Sequence, residues 1–239
     1  MIEKLLRNLG SHDVVTAEER SILQSIIMRT TSFEIGDDLV SQGSRPGHST
    51  LMLEGISARY KILEDGSRQI TALHVPGDFV DLHAFLMKTM DHGIVAMSHC
   101  KVAFADHHDL KTVTETMPHL TRLLWLDTLV DGAVHREWLV AMGRRSTKSH
   151  LAHLLCELYV RLKVVELIDG ASFKLPLSQS EMADVLGLSL VHLNKTLQQL
   201  RRDGLVRWES RTVEILDWEK LTEMAEFDPT YLSLSVEPR

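Results

Sequence analysis

Residues 178–202 read SQSEMADVLGLSLVHLNKTLQQLRR, a stretch with the marks of two short helices and a tight turn between them. Ser178 stands at an N-cap position with Glu181 three residues on, the capping-box spacing. The pattern predicts a helix from Gln179 to Leu186 with Met182, Ala183, Val185 and Leu186 on its inner side. Gly187 comes next, where the chain must turn tightly, a place that glycine tolerates best. Ser189 then caps a second helix, in which Leu193, Leu197 and Leu200 repeat at steps of four and three. Its opposite face carries His192, Asn194, Lys195, Gln198 and Arg202, all hydrogen-bond donors. Two short helices joined by a glycine turn, the second polar and basic outward, form a helix-turn-helix whose second helix fits a DNA major groove. Two helices of an ordinary bundle are the plainer reading of the same pattern.

The residues C-terminal to this pair favour the helix-turn-helix. Asp203 to Trp208 and Arg211 to Ile215 predict two strands around Glu209-Ser210, the wing of a winged helix. From Arg144 to Arg211 there are eleven Lys and Arg against seven Asp and Glu, although the whole chain carries a formal charge of -7. A basic module on an acidic body suits contact with a polyanion at one end only. Upstream, Phe173 to Leu177 reads as a short strand or extended linker. Ser146 to Val165 reads as an amphipathic helix capped by Ser146 or Thr147, and Gly143-Arg144-Arg145-Ser146 as the joint between domains. His119 to Met142 predicts one helix about 36 Å long. Leu123, Leu126, Val130 and Ala133 form one apolar stripe, and Leu120, Leu124 and Val134 a neighbouring one. A surface helix needs one buried stripe, so two predict packing on its own domain and on a partner helix. A helix buried inside a monomer is the alternative.

The front half has another texture. Ile2, Leu5, Leu6 and Leu9, then Ile22, Ile26 and Ile27, mark two short helices with a turn near Gly10–Ser11. From Thr30 to about His108, glycines punctuate short β-prone runs such as Leu51 to Gly55 and Ile56 to Lys61. Glu64-Asp65-Gly66-Ser67 reads as a hairpin loop and Val75-Pro76-Gly77-Asp78 as another turn. Many short strands closely spaced predict a small antiparallel roll. The division expected is 1–115 for the N-terminal helices and roll, 116–143 for the long helix, and 144–239 for the winged helix-turn-helix. Apolar residues make up 44% and charged residues 25%, as in an average globular chain. No apolar run approaches the ~20 residues that span a bilayer, and Met1 to Gly10 has no secretory h-region. A cytoplasmic protein without a membrane partner is expected. Cys100 and Cys156, distant and unpaired, exclude a disulfide scaffold, a cysteine-ligated zinc site and a four-cysteine iron–sulfur cluster. There is no GxSxG elbow, phosphate loop or His-Glu-x-x-His helix, and no enzyme is expected.

The order of roll, long helix and winged helix resembles the Crp/Fnr family of bacterial transcription regulators over nearly the whole chain. In the roll the resemblance rests on Gly36-Asp37-Asp38-Leu39-Val40-Ser41-Gln42-Gly43, Leu53-Glu54-Gly55 and Pro76-Gly77-Asp78-Phe79. In the DNA-binding module it rests on Leu177 to Lys195, above all Ala183, Gly187, Leu188 and Ser189. It implies an α+β fold with an N-terminal antiparallel β-roll of cyclic-nucleotide-binding type, a long dimerisation helix and a C-terminal winged helix-turn-helix. It also implies a homodimer on a palindrome of double-stranded DNA, with half-sites roughly 34 Å apart, and RNA polymerase as a further partner. Ser180, Ser189 and His192 fall where family members contact phosphates, and Lys195 where a basic residue reaches a base edge. Leu190 and Val191 stand where relatives often carry Arg and Glu, so the operator differs from that of the cyclic-AMP regulators. Apolar side chains there either touch a thymine methyl or contribute nothing. Asn194 and Lys195 are the preferred base readers. Arg201, Arg202, Arg207 and Arg211 are expected on phosphates, with Ser178, Gln179 and Gln198 completing the interface.

For the sensor, the resemblance sets out what a cyclic nucleotide needs: a carboxylate for the ribose and an Arg–Ser pair for the phosphate. Leu82 takes the place of the first, and His92 and Gly93 those of the second, so cyclic AMP is not expected. His83 resembles in position the haem-ligating histidine of the carbon-monoxide-sensing regulators, with Asp81 where those carry a cysteine. The effector pocket is therefore placed at Leu82, His83, His92 and Gly93, its ligand open. The 13 histidines, among them His92, His99, His107 and His108 loosely grouped, match no defined metal site. Two other functions stay in view: a haem- or metal-dependent gas or redox sensor using His83, and a ligand-binding signalling module acting on protein partners.

Overall fold

The computed structural model describes residues 1–66 and 68–239. Ser67, the last residue of the predicted hairpin loop, lies outside them. Helices α1 (Glu3–Gly10) and α2 (Ala17–Ile26) open the chain, α2 through a capping box between Thr16 and Glu19. Seven strands come next: β1 (Ile27–Phe33), β2 (Asp38–Val40), β3 (His48–Glu54), β4 (Ser57–Ile62), β5 (Arg68–His74), β6 (Gly93–Ala96) and β7 (Cys100–Asp106), with the short helix α3 (Ala84–Met87) between β5 and β6. They form two antiparallel sheets, in the orders β1-β7-β3 and β2-β6-β4-β5. Alternate strand residues point inward, so Met52, Ile94 and Val102, with Val80 from the segment before α3, fill the space within the roll. Gly93 is required by close approach: a Cβ there would lie 2.4 Å from the Tyr60 ring.

After α4 (His107–Thr116) comes α5, Pro118–Arg144, with Pro118 in its first turn, where a missing N–H costs nothing. It is longer than the sequence pattern predicts at both ends. It runs through Gly143, so the joint with the next helix is Arg145–Ser146. Its N-terminal half packs Leu120, Leu123 and Leu124 with Leu5, Leu9 and Leu23 of α1 and α2. Its C-terminal half packs Val134 and Trp138 into a core shared by the roll and the C-terminal module.

That module comprises α6 (Thr147–Val164), β8 (Ile168–Asp169), β9 (Ser172–Lys174), α7 (Gln179–Leu186), α8 (Leu190–Arg202), β10 (Val206–Glu209), β11 (Thr212–Ile215) and α9 (Trp218–Ala225). Its four strands form one sheet in the order β10-β11-β9-β8. Glu209 belongs to the first wing strand and the turn is Ser210-Arg211, both with positive φ, as a tight hairpin turn requires. The fold is the α+β arrangement expected: roll, long helix, winged helix-turn-helix. Among the described residues no helix is long and apolar enough to cross a membrane.

Candidate nucleic-acid interface and sensor cavity

Local chemistry sets the angle between α7 and α8. The Ser178 hydroxyl accepts from the Glu181 N–H at 3.2 Å, and the Glu181 carboxylate accepts from the Ser178 N–H at 2.6 Å. Gly187 ends α7 in the left-handed region, φ +65°, where an L side chain would be strained. The Ser189 hydroxyl caps α8 by accepting from the His192 N–H at 3.3 Å. Leu193, Thr196, Leu197 and Leu200 are buried against the module's core, which fixes the rotation of α8 about its axis.

With that rotation set, Val191, Lys195, Gln198 and Arg202 fall in one exposed stripe at steps of four, three and four. Leu190, Asn194 and Arg201 lie along one flank and His192 on the other. Asn194 is half-buried; Ser178, Gln179, Ser180, Ser189, Leu190 and His192 are exposed around the helix N-termini. Arg207 and Arg211 stand exposed on the wing. Lys195, Arg202 and Arg211 have no ion-pair partner among the described residues, so their charge is free for an anion. Two of the arginines are already engaged. Arg201 donates to the Trp208 carbonyl, tying α8 to the wing, and Arg207 pairs with Glu214 across the wing strands.

The region expected to hold an effector is built differently from the sequence expectation. A cavity of about 430 Å³ lies between the roll and α5, walled by Arg59, His83, His92, Asp131, His135 and Trp138 among others. Leu82 is not part of it; it packs with Phe79 in the core under α1 and α5. Gly93 pairs with Tyr60 in the sheet. His83 and His92 do line the space, their ring centroids 5.1 Å apart. Between them and α5 sits Arg59, only 4% exposed. One of its nitrogens donates to His135 Nε2 at 2.7 Å; another donates to Asp131 at 3.0 Å and to the Val80 carbonyl at 3.2 Å. Arg59 Nε, His83 Nε2 and His92 Nε2 are buried without a hydrogen-bond partner among the described residues. Burial, and then the Arg59 charge, lowers the pKa of His83 and brings His92 down to about 4. Burial also lowers that of His135, with Arg59 adding to it and Asp131 opposing. At neutral pH the cavity therefore holds neutral imidazoles around one guanidinium.

Sequence reasoning missed Arg59, Asp131 and His135. The signal was present: an arginine between Ala58 and Tyr60 in a strand whose first four residues are buried, and an acid and an imidazole one helical turn apart on α5. These walls do not fit haem, whose apolar faces would be set against the Arg59–Asp131 pair and its imidazole neighbours. Asp81, two residues before His83, is fully buried and accepts from the Thr50 N–H and hydroxyl. Among the described residues no group of three or more His, Cys, Asp or Glu is placed to hold a metal ion.

The two modules are fastened together. Arg161 of α6 donates to Asp78 in the roll's Pro76-Gly77-Asp78 turn at 2.6 Å, to the Leu73 carbonyl at 3.1 Å and to Glu157 at 3.1 Å. Arg68 of β5 pairs with Asp184 of α7 at 3.6 Å.

Known proteins match these units. A cyclic nucleotide-binding domain model matches residues 30–117, and a Crp-like helix-turn-helix domain model matches residues 149–224. The chain is 29% identical over 213 residues to the transcriptional activator protein FnrL of Cereibacter sphaeroides, covering 87% of this chain and 85% of that protein. It is 28% identical over 200 residues to the nitrogen fixation regulation protein FixK of Bradyrhizobium diazoefficiens, covering 82% of each. The solved structure of FixK2 from Bradyrhizobium japonicum superposes with a TM-score of 0.74 at 22% identity, over 82% of this chain and 96% of that one. The chain belongs to the Crp/Fnr family of DNA-binding transcription regulators.

Proposed function

We propose that the protein works as a cytoplasmic homodimer that binds a palindromic operator through α8 of each copy and controls transcription by contact with RNA polymerase. Residues 1–115 are the sensor, 116–143 the dimerisation helix and 144–239 the reading head. The observation that carries this is the exposed stripe of α8, with Lys195 and Arg202 uncommitted and Ser178 and Ser189 capping the two helices that present it.

Dimerisation rests on α5. Trp125 is 64% exposed, Leu129 53% and Leu139 66%, and they share one face with Gly132 between them. A row of large apolar side chains that its own domain leaves uncovered suits a second copy of the same helix. It is a row that neither predicted stripe included. The effector site is the cavity between the roll and α5, at His83 and His92 together with Arg59 and His135. An effector there would touch both the roll and the helix that joins the two copies. A signalling module acting on proteins alone would not need the uncommitted basic stripe of α8.

Selection of bound duplexes from a random pool, followed by titration of the recovered operator, tests the reading. Lys195→Ala should weaken specific binding by about 1–3 kcal/mol and relax the preference at one base pair per half-site. Unchanged discrimination in that variant would remove Lys195 from the base readers. Failure to recover any sequence would remove the DNA-binding role.

A further inference from the structure

The groove-facing stripe of α8 begins with a side chain that has no polar atom. Val191 is 79% exposed, more than any other large apolar residue of the chain, and it stands in the first turn of the helix, in line with Lys195, Gln198 and Arg202. It supports no core: the buried residues of α8 are Leu193, Thr196, Leu197 and Leu200. The N-terminal residues of such a helix are those that meet base edges. We propose that Val191 reads the C5-methyl group of a thymine, so that each half-site carries an A·T pair opposite it. The proposal rests on the DNA-binding reading above and gives it a base preference.

Three properties of the side chain support this. Valine can neither donate to guanine O6 and N7 nor accept from the cytosine amino group. Over a G·C pair it would strip water from those atoms and replace none of their hydrogen bonds. Over an A·T pair it meets the one apolar group in the major groove, and both surfaces leave water together. Its β-branched side chain holds one strongly preferred χ1 in a helix, so little rotamer freedom is lost on contact. Leu190, 44% exposed, lies well round the helix from that stripe and reaches the groove wall sooner than its floor. Lys195, one turn on, supplies the neighbouring polar reading.

The test uses the full-length protein and the operator recovered from a random duplex pool. Each thymine of one half-site is replaced singly by deoxyuridine, which removes the methyl group and nothing else, and affinity is measured by fluorescence anisotropy. One position should lose about fourfold, the worth of one buried methyl group. Val191→Ala, at an exposed position, should keep the helix content of the protein by circular dichroism, bind the thymine operator less tightly and lose most of the deoxyuridine penalty. A cytosine placed at that position should bind poorly, and 5-methylcytosine should recover part of the loss. Tight operator binding with no deoxyuridine penalty at any position overturns the proposal. So does a penalty that Val191→Ala leaves intact, which assigns the methyl group to another side chain. Recovery of no sequence at all overturns the DNA-binding reading and this one with it.

Discussion

Replacing Arg161 with methionine removes the charge that three separate segments share while keeping most of the side chain's volume. Arg161 donates to Asp78 at 2.6 Å, to Glu157 at 3.1 Å and to the Leu73 carbonyl at 3.1 Å. Glu157 is fully buried and also accepts from Tyr231 at 2.9 Å and Trp138 at 3.4 Å. Without the guanidinium, two carboxylates stay in a poorly solvated place with no cation. Removing one partner of a buried ion pair costs about 3–5 kcal/mol, and that is the loss expected at pH 7.5. Burial already raises the pKa of Asp78 and Glu157, with Arg161 holding them down. In the variant both rise further, and each acid can escape the penalty by taking a proton. The loss should therefore shrink as the pH falls from 7.5 towards 5.5. Urea unfolding of both proteins at the two pH values measures it. A loss below about 1 kcal/mol, or one that is the same at both pH values, would refute the assignment of this network as the fastening between roll and reading head.

Further outcomes are expected. Gly93→Ala puts a Cβ 2.4 Å from the Tyr60 ring, in a sheet where neither backbone can retreat, and should lower stability by about 1–3 kcal/mol in thermal unfolding. Asp81 has its pKa raised by burial to about 7 from 3.8. Its folded form thus holds a proton that the unfolded chain releases, and stability is lost as the pH rises through 7. Asp81→Asn should gain on the wild type by up to about 4 kcal/mol between pH 4 and 8, measured as the difference in unfolding free energy. Millimolar cyclic AMP should leave the melting temperature unchanged, because Leu82 and Gly93 face the core and the sheet; a clear rise would show a nucleotide site.

The reading head is legible in the sequence because its determinants are local. The caps at Ser178 and Ser189, the left-handed turn at Gly187 and the leucine spacing of α8 each act within a few residues, and the structure places all of them as the pattern predicts. The long helix is legible as a helix but not in its faces. Counting apolar positions does not say which row its own domain will cover, and the row left bare is Trp125, Leu129 and Leu139. The cavity between the roll and α5 is the least legible. Its central contact joins Arg59 to Asp131 and His135, residues distant in the chain and brought together only when α5 lies across the roll. Alignment to a family motif points to Leu82 and Gly93 as well as His83 and His92; Leu82, in the turn before α3, packs into the core, and Gly93 is taken up by pairing with Tyr60.

Two copies joined along α5 should grip successive turns of one duplex, and sedimentation equilibrium of the protein with its selected operator decides whether they do. Two protein chains per duplex are expected, with binding largely lost when about half a helical turn is inserted between the half-sites. One chain per duplex, bound just as tightly to an isolated half-site, would contradict this arrangement.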